Sequence, residues 1–235
     1  LINPLNYLYT MFVKDIIKPG ISTSEIDHLC EEFIKSKDAR PSFKGYRGYP
    51  ASVCVSINEE VVHGIPSKNR LLDEGDIVSL DIGAIYKGFH GDAARTVAVG
   101  KISPEASDLI KITEEAFFKG LKKAEAGNRL SDISYSIQKF VESNNYSVVR
   151  EYVGHGIGRK MHEDPQIPNF GPPGRGPVLK QGMTLAIEPM VNIGGFEVKT
   201  LADGWTVITR DKSLSAHYEH TIAITDDKPV ILSQL

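Results

Sequence analysis

A repeat at a spacing of 107 residues constrains this chain more than any other feature, because duplicated units bury their apolar faces by packing on one another. Gly20-Ile-Ser-Thr-Ser24-Glu25-Ile26 opens an apolar stripe of Ile26, Leu29, Cys30, Phe33 and Ile34, the spacing of one buried helix face. Ser22 and Glu25 form a capping-box pattern before it. One repeat later, Gly127, Ser131, Asp132 and Ile133 lead into Ile137, Phe140 and Val141. The same spacing aligns Gly75–Asp81 with Gly182–Glu188, two short β-type runs that each end in a carboxylate. A third echo, His63-Gly-Ile65 against His155-Gly-Ile157, is offset by 92, so loop lengths differ between the halves. Each half therefore reads helix, His-Gly-Ile, carboxylate strand. A further helix over Asp108–Leu121, with Ser103 as N-cap and Pro104 at its first position, opens the second half, and its expected counterpart spans Pro4–Ile17.

Short runs rich in β-branched residues, Val53–Ile57, Ile77–Ile82, Thr96–Val99, Thr184–Ile187 and Thr221–Ile224, are bounded by turn formers. The expected class is α+β with largely antiparallel strands. The Pro- and Gly-rich stretch Asp164–Gly176 reads as a loop over one face. No linker divides the chain, so residues 1–235 form one expected domain, with halves of about 1–107 and 108–235.

Charge and cysteine content narrow the function classes. The chain has 27 Lys and Arg against 30 Asp and Glu, a net charge of −3 without long like-signed runs. This argues against a nucleic-acid tail or polybasic membrane patch. Cys30 and Cys54 are too few for a disulfide framework and lack a CxxC spacing, which points to the cytoplasm and to oxygen and nitrogen metal ligands. No apolar run approaches the ~20 residues of a membrane span, and Leu1–Tyr9 has no basic stretch before a hydrophobic core. Because the chain opens on Leu1 instead of Met, a trimmed N-terminus is expected.

The repeat superposes Asp81 on Glu188. Asp92 follows Asp81 across a turn-bearing segment suited to a hairpin, so both can share a sheet face, and Glu219 lies similarly beyond Glu188. With His155 these are five candidate ligands carrying a formal −4, which two divalent cations neutralise. Such a donor set suits Mn, Fe, Co or Zn without choosing among them. Two ions ~3.5–4 Å apart can share a bridging hydroxide as nucleophile.

His63-Gly-Ile-Pro66, Asp81 with Asp92, Gly154-His-Gly-Ile-Gly158 with His162-Glu163, Ile187-Glu188-Pro189 and Tyr218-Glu219-His220-Thr221 occur in this order. Together they resemble the type I methionine aminopeptidases from about Gly20 onward. The resemblance implies the two-fold pita-bread fold and the ligands Asp81, Asp92, His155, Glu188 and Glu219. Asp92 and Glu219 would bridge the metals, Asp81 would hold one bidentately, and His155 with Glu188 would complete the other. It also implies Glu188 as a proton carrier, and His63 and His162 as hydrogen-bond partners of the scissile amide and the oxyanion. His90, His217 and His220 are adjacent in sequence without matching ligand positions.

The implied activity is removal of initiator methionine from nascent chains or peptides with a small second residue, by a monomer, with ribosome proximity implied by the substrate. Because each methylene discriminates by only ~1–3 kcal/mol, the methionine slot needs walls. By resemblance they are Tyr46, Tyr49, Cys54, His63, Met161, His162 and Trp205, aromatic rings being favourable neighbours for a thioether. Phe43 and Met161 depart from the bacterial pattern, which has a small residue or cysteine at the first and an aromatic at the second. Only 25 residues separate His162 from Glu188, too few for the type II helical insertion, and the zinc-binding extension of eukaryotic type I forms is not seen. Prolidase-like and creatinase-like enzymes share the ligand order but normally carry an N-terminal domain. Inactive binding modules of this fold lose ligands, whereas all five are present here.

Overall fold

The computed structural model describes residues 13–233. Of the helix expected over Pro4–Ile17, Val13–Ile16 forms one turn (α1), and positions 4–12 lie outside the described residues. The two repeat helices are α2 (Thr23–Ser36) and α4 (Leu130–Ser143), equal in length at 14 residues. Ser22 Oγ accepts the Glu25 N–H at the start of α2, and the Asp132 carboxylate accepts the Arg129 N–H at the start of α4. Between them α3 (Pro104–Leu121) begins at the expected Ser103 cap, with Pro104 inside its first turn.

Among the described residues a sheet of eleven strands runs through both halves. Its main path places β1 (Arg40–Pro41), β4 (Ile77–Tyr86), β5 (Phe89–Ala98), β13 (Ser215–Ala223), β9 (Thr184–Ile187), β7 (Gly154–Gly156) and β8 (Glu163–Ile167) side by side. Off this path β2 (Cys54–Ile57) pairs with β4, β10 (Met190–Asn192) joins β13 to β6 (Ser147–Val148), and β14 (Val230–Ile231) also pairs with β13. A second sheet holds β3 (Glu60–Val62), β11 (Val198–Thr200) and β12 (Val207–Thr209). The pairings are antiparallel, as expected for the class.

The helices cover one face of the large sheet. Ile26, Cys30 and Ile34 of α2 pack on Val55, Val78, Leu80 and Ile82. In the second half Leu109 and Phe117 of α3, with Ile133 and Ile137 of α4, pack on Leu185, Ile187 and Ile222. Alternation along the strands leaves Asp81, Asp92 and Glu219 on the opposite face.

Register corrects part of the expected duplication. Ser79 lies opposite Ser56 on β2, and Ala186, its partner 107 residues on, lies opposite His155 on β7. The counterpart of His155 is therefore Ser56, and the same offset of 99 carries His63 to His162, not to His155. Likewise Asp81 faces Ala94, while the register pairing His220 with Ile187 sets Glu188, one residue past β9, against Glu219. Glu219 thus corresponds to Ala94, and Asp92 to His217. Because Ala94 and Glu219 also face each other across β5 and β13, the pseudo-two-fold axis passes between them.

Two further boundaries differ from expectation. Asp164–Ile167, expected as loop, belongs to β8, because pairing with β7 supplies ladder bonds that a local Pro-rich composition does not reveal. β5 and β13 begin seven and six residues before the apolar runs Thr96–Val99 and Thr221–Ile224, since their polar inner positions hide the strand pattern. Phe117 is fully buried against Tyr218 and His220, with ring centroids 5.3 Å from each. Phe117→Ala is expected to lower stability by ~3–5 kcal/mol, seen as a shifted urea midpoint at unchanged m value.

Candidate metal centre and active site

Strand alternation and register collect one row of donors. Asp81 on β4, Asp92 on β5, Glu219 and His217 on β13, Glu188 after β9 and His155 on β7 all share the sheet face away from the helices. Between them the same face carries Ala94 and Ala186, whose small side chains leave room above the sheet. Asp92 is tied to β13 through Thr221, whose Oγ1 accepts the Asp92 N–H at 2.8 Å and donates to its carbonyl at 2.9 Å. Gly156 follows His155 because a Cβ there would lie 2.2 Å from the Asp164 carbonyl oxygen. Gly64 follows His63 for the same reason, with the Val55 carbonyl oxygen at 2.2 Å.

The donors stand at separations suited to sharing cations. His155 Nε2 lies 3.7 Å from Glu188 Oε1 and 4.0 Å from Asp92 Oδ2. Donor atoms of Asp92, His155 and Glu219 fall within 4.8 Å of one another, as do those of Glu188, His217 and Glu219. His155 Nδ1 donates to the Gly156 carbonyl at 2.9 Å, which leaves Nε2 as a bare lone pair, the form a metal requires. Asp81 Oδ1 and Glu219 Oε1 are buried with no hydrogen-bond partner. Unpaired buried carboxylate oxygens are strongly unfavourable in a metal-free protein, so the donor set fits divalent ions.

Electrostatics agree. Burial, then the neighbouring carboxylates, holds Asp81, Glu188 and Glu219 well above the usual carboxylate range. Burial raises Asp92 to about 7. Burial also lowers His155, and it brings His63 and His162 down to about 4, so both are neutral at pH 7.

A cavity of about 140 Å³ opens on this row. It is lined by Tyr46, Tyr49, Cys54, His63, Met161, His162 and Trp205, together with Asp81, Asp92, His155, Glu188 and Glu219. Every residue singled out for ligation, catalysis or the methionine slot therefore meets in one place. The Tyr49 hydroxyl is shared between the Val53 and Gly64 carbonyls at 3.2 and 3.0 Å, and its ring meets Trp205 edge-on at 5.1 Å. His162 Nδ1 lies 2.9 Å from the Tyr46 hydroxyl, with the two rings stacked. Phe43 also lines the slot, and its ring packs so close to Gly83 that a Cβ there would be 2.6 Å away. Of the three adjacent histidines, His90 bonds Ser42 and His220 bonds Ser233 on the helix-facing side, while His217 is buried beside Glu188. Sequence reasoning missed Arg47, which lines the slot mouth. Its left-handed φ of 49° between Tyr46 and Gly48 leaves no periodic signal.

The model of metallopeptidase family M24 matches residues 7–226. The chain belongs to metallopeptidase family M24. A methionine aminopeptidase from Clostridium acetobutylicum is 64% identical over 216 residues, 92% of this chain and 86% of that protein. The crystal structure of methionine aminopeptidase from Rickettsia prowazekii superposes with a TM-score of 0.95 at 44% identity, covering 97% of this chain and 92% of that one. The prolidase from Pyrococcus furiosus, at 23% identity and a TM-score of 0.76, shares the M24 fold over 94% of this chain and 58% of its own.

Crowded carboxylates also predict how this M24 site responds to pH. Asp92 is raised in the folded state, so without metal its contribution to stability is present at low pH and is lost as pH rises through about 7. Removing divalent ions with a chelator is therefore expected to lower the melting temperature markedly at pH 8 and little at pH 5. Equal shifts in parallel thermal scans at the two pH values would contradict it.

Proposed function

We propose that this chain is a dinuclear metal-dependent aminopeptidase that removes the N-terminal methionine of nascent proteins and peptides whose second residue is small. One observation carries the reading: a slot of aromatic rings and Met161 ends on a face of four carboxylates and a ligand-ready imidazole. Asp81, Asp92, His155, Glu188 and Glu219 would hold two divalent ions, drawn from Co, Mn, Fe or Zn, with Asp92 and Glu219 shared between them. Bound divalent ions supply the Lewis acidity that activates water at neutral pH.

The remaining work falls to side chains. Glu188, which faces the slot beside the other donors, would take the proton of the attacking water and pass it to the leaving amine. His162 and His63, neutral at pH 7, hydrogen-bond the scissile amide and the developing oxyanion without adding charge. The Tyr46 hydroxyl occupies His162 Nδ1 and so leaves Nε2 for the substrate. Tyr46, Tyr49, Cys54, Met161 and Trp205 would line the methionine side chain.

The same reading makes residues 1–235 a single catalytic domain, acting as a cytoplasmic monomer near ribosomes. Its two cysteines are free and buried, and no described helix is long and apolar enough to cross a membrane.

The direct test is release of free methionine from Met-Ala-Ser against Leu-Ala-Ser and Ala-Pro peptides, using chelator-stripped protein titrated with Mn, Fe, Co and Zn. Metal-dependent cleavage of the Met peptide alone is expected, whereas cleavage of the Ala-Pro peptide would favour a prolidase-like specificity. His162→Ala is expected to lower kcat by ~10²–10⁴ with metal binding unchanged. Asp92→Asn, in contrast, should weaken both metal positions, and unchanged two-ion affinity by calorimetry would refute the sharing of Asp92.

A further inference from the structure

His217 has no part in the five-residue donor set, yet it is buried among it. Its exposure is 1%, and neither ring nitrogen has a hydrogen-bond partner. A buried imidazole without partners forfeits its hydrogen bonds to water, so the ring needs a reason to be there. Its place is rigid. Thr96 Oγ1 accepts the His217 N–H at 2.8 Å and donates to the His217 carbonyl at 3.0 Å, and Ser79 Oγ in turn lies 2.7 Å from Thr96 Oγ1. By register His217 occupies in the second half the position that Asp92 occupies in the first.

Two imidazoles flank one carboxylate. His155 Nε2 lies 3.7 Å from Glu188 Oε1, and His217 Nε2 lies 3.7 Å from Glu188 Oε2 and 4.0 Å from Glu219 Oε2. The rings differ in what fixes their protons. His155 gives its Nδ1 proton to Gly156 and presents a lone pair. His217 has no such carbonyl at Nδ1, and its Nε2 faces only carboxylate oxygens, which call for an N–H.

The geometry points to His217 as a positioning residue of the metal site, whose Nε2–H faces Oε2 of Glu188 at 3.7 Å and by its partial charge biases which oxygen of that carboxylate is turned to the ions. This rests on the reading of the carboxylate face as a divalent-metal site. A partner of this kind raises affinity because the ligand is already oriented before the ion arrives.

The test compares His217→Gln, which keeps an N–H at similar reach, with His217→Leu, which removes it. Cobalt(II) affinity is measured by calorimetry and the visible cobalt(II) absorption is recorded at saturation. The Leu variant should bind cobalt ~10–100-fold more weakly, and the Gln variant close to wild type. Both saturated spectra should match wild type, since no ligand is lost. Wild-type affinity in the Leu variant would overturn the proposal. So would a Gln variant as weak as Leu with an altered spectrum, which would make His217 a direct ligand. Failure of the wild-type protein to bind cobalt would instead defeat the metal-site reading itself. If the Leu variant does not fold by circular dichroism, His217→Met carries the same comparison.

Discussion

Four carboxylates gathered on one face of one sheet, Asp92 and Glu219 fully buried and Asp81 and Glu188 partly so, are the constraint on which the rest of the molecule depends. Like charges at this spacing, away from water, repel strongly and push the groups toward protonation. Only cations or protons relieve that repulsion. The surrounding sequence serves the same end: Ala94 and Ala186 keep the face open, Gly83 admits the Phe43 ring, and the helices take the opposite face for the apolar core. The sheet is thus a divider between a dry hydrophobic layer and a layer of concentrated negative charge.

Duplication supplies this frame but not a symmetric site. Asp81, within β4, and Glu188, one residue past β9, are true counterparts, whereas His155 answers to Ser56 and Glu219 to Ala94. A symmetric centre would present two equal approaches to the donors. Here the slot closes one approach with Phe43, Tyr46, Tyr49 and Cys54 from the first half and Met161, His162 and Trp205 from the second. The asymmetry gives a substrate one direction of entry, which an enzyme acting on a single chain terminus requires.

Much of this was legible before any coordinates. The repeat located α2 and α4, the capping residues located the starts of α2 and α3, and the hairpin between β4 and β5 followed from the turn-bearing segment Gly83–Gly88, of which Gly83–Tyr86 belong to β4. The five donors and the slot residues were legible through motif order, and all of them line one cavity. What escaped has a common cause. The N-terminal parts of β5 and β13 are interrupted by Asp92, His217 and Glu219, so the residues that make the site also erase the alternation that marks a strand. The His-Gly-Ile echo misled because the same local need, a glycine where a neighbouring carbonyl comes within reach, arises at two unrelated places.

The sequence by itself determined α2, α3 and α4, the cores of β4 and β9, the α+β class and the chemical identity of the donors, because these depend on period, capping and residue type within short windows. Only the tertiary structure decided which donor stands opposite which, that Ala94 and Glu219 meet at the pseudo-two-fold axis, and that His217 lies beside Glu188. Register between strands distant in sequence is set by packing over the whole sheet, and a shift of one residue would turn every donor to the helix side. Local pattern carries no record of that choice.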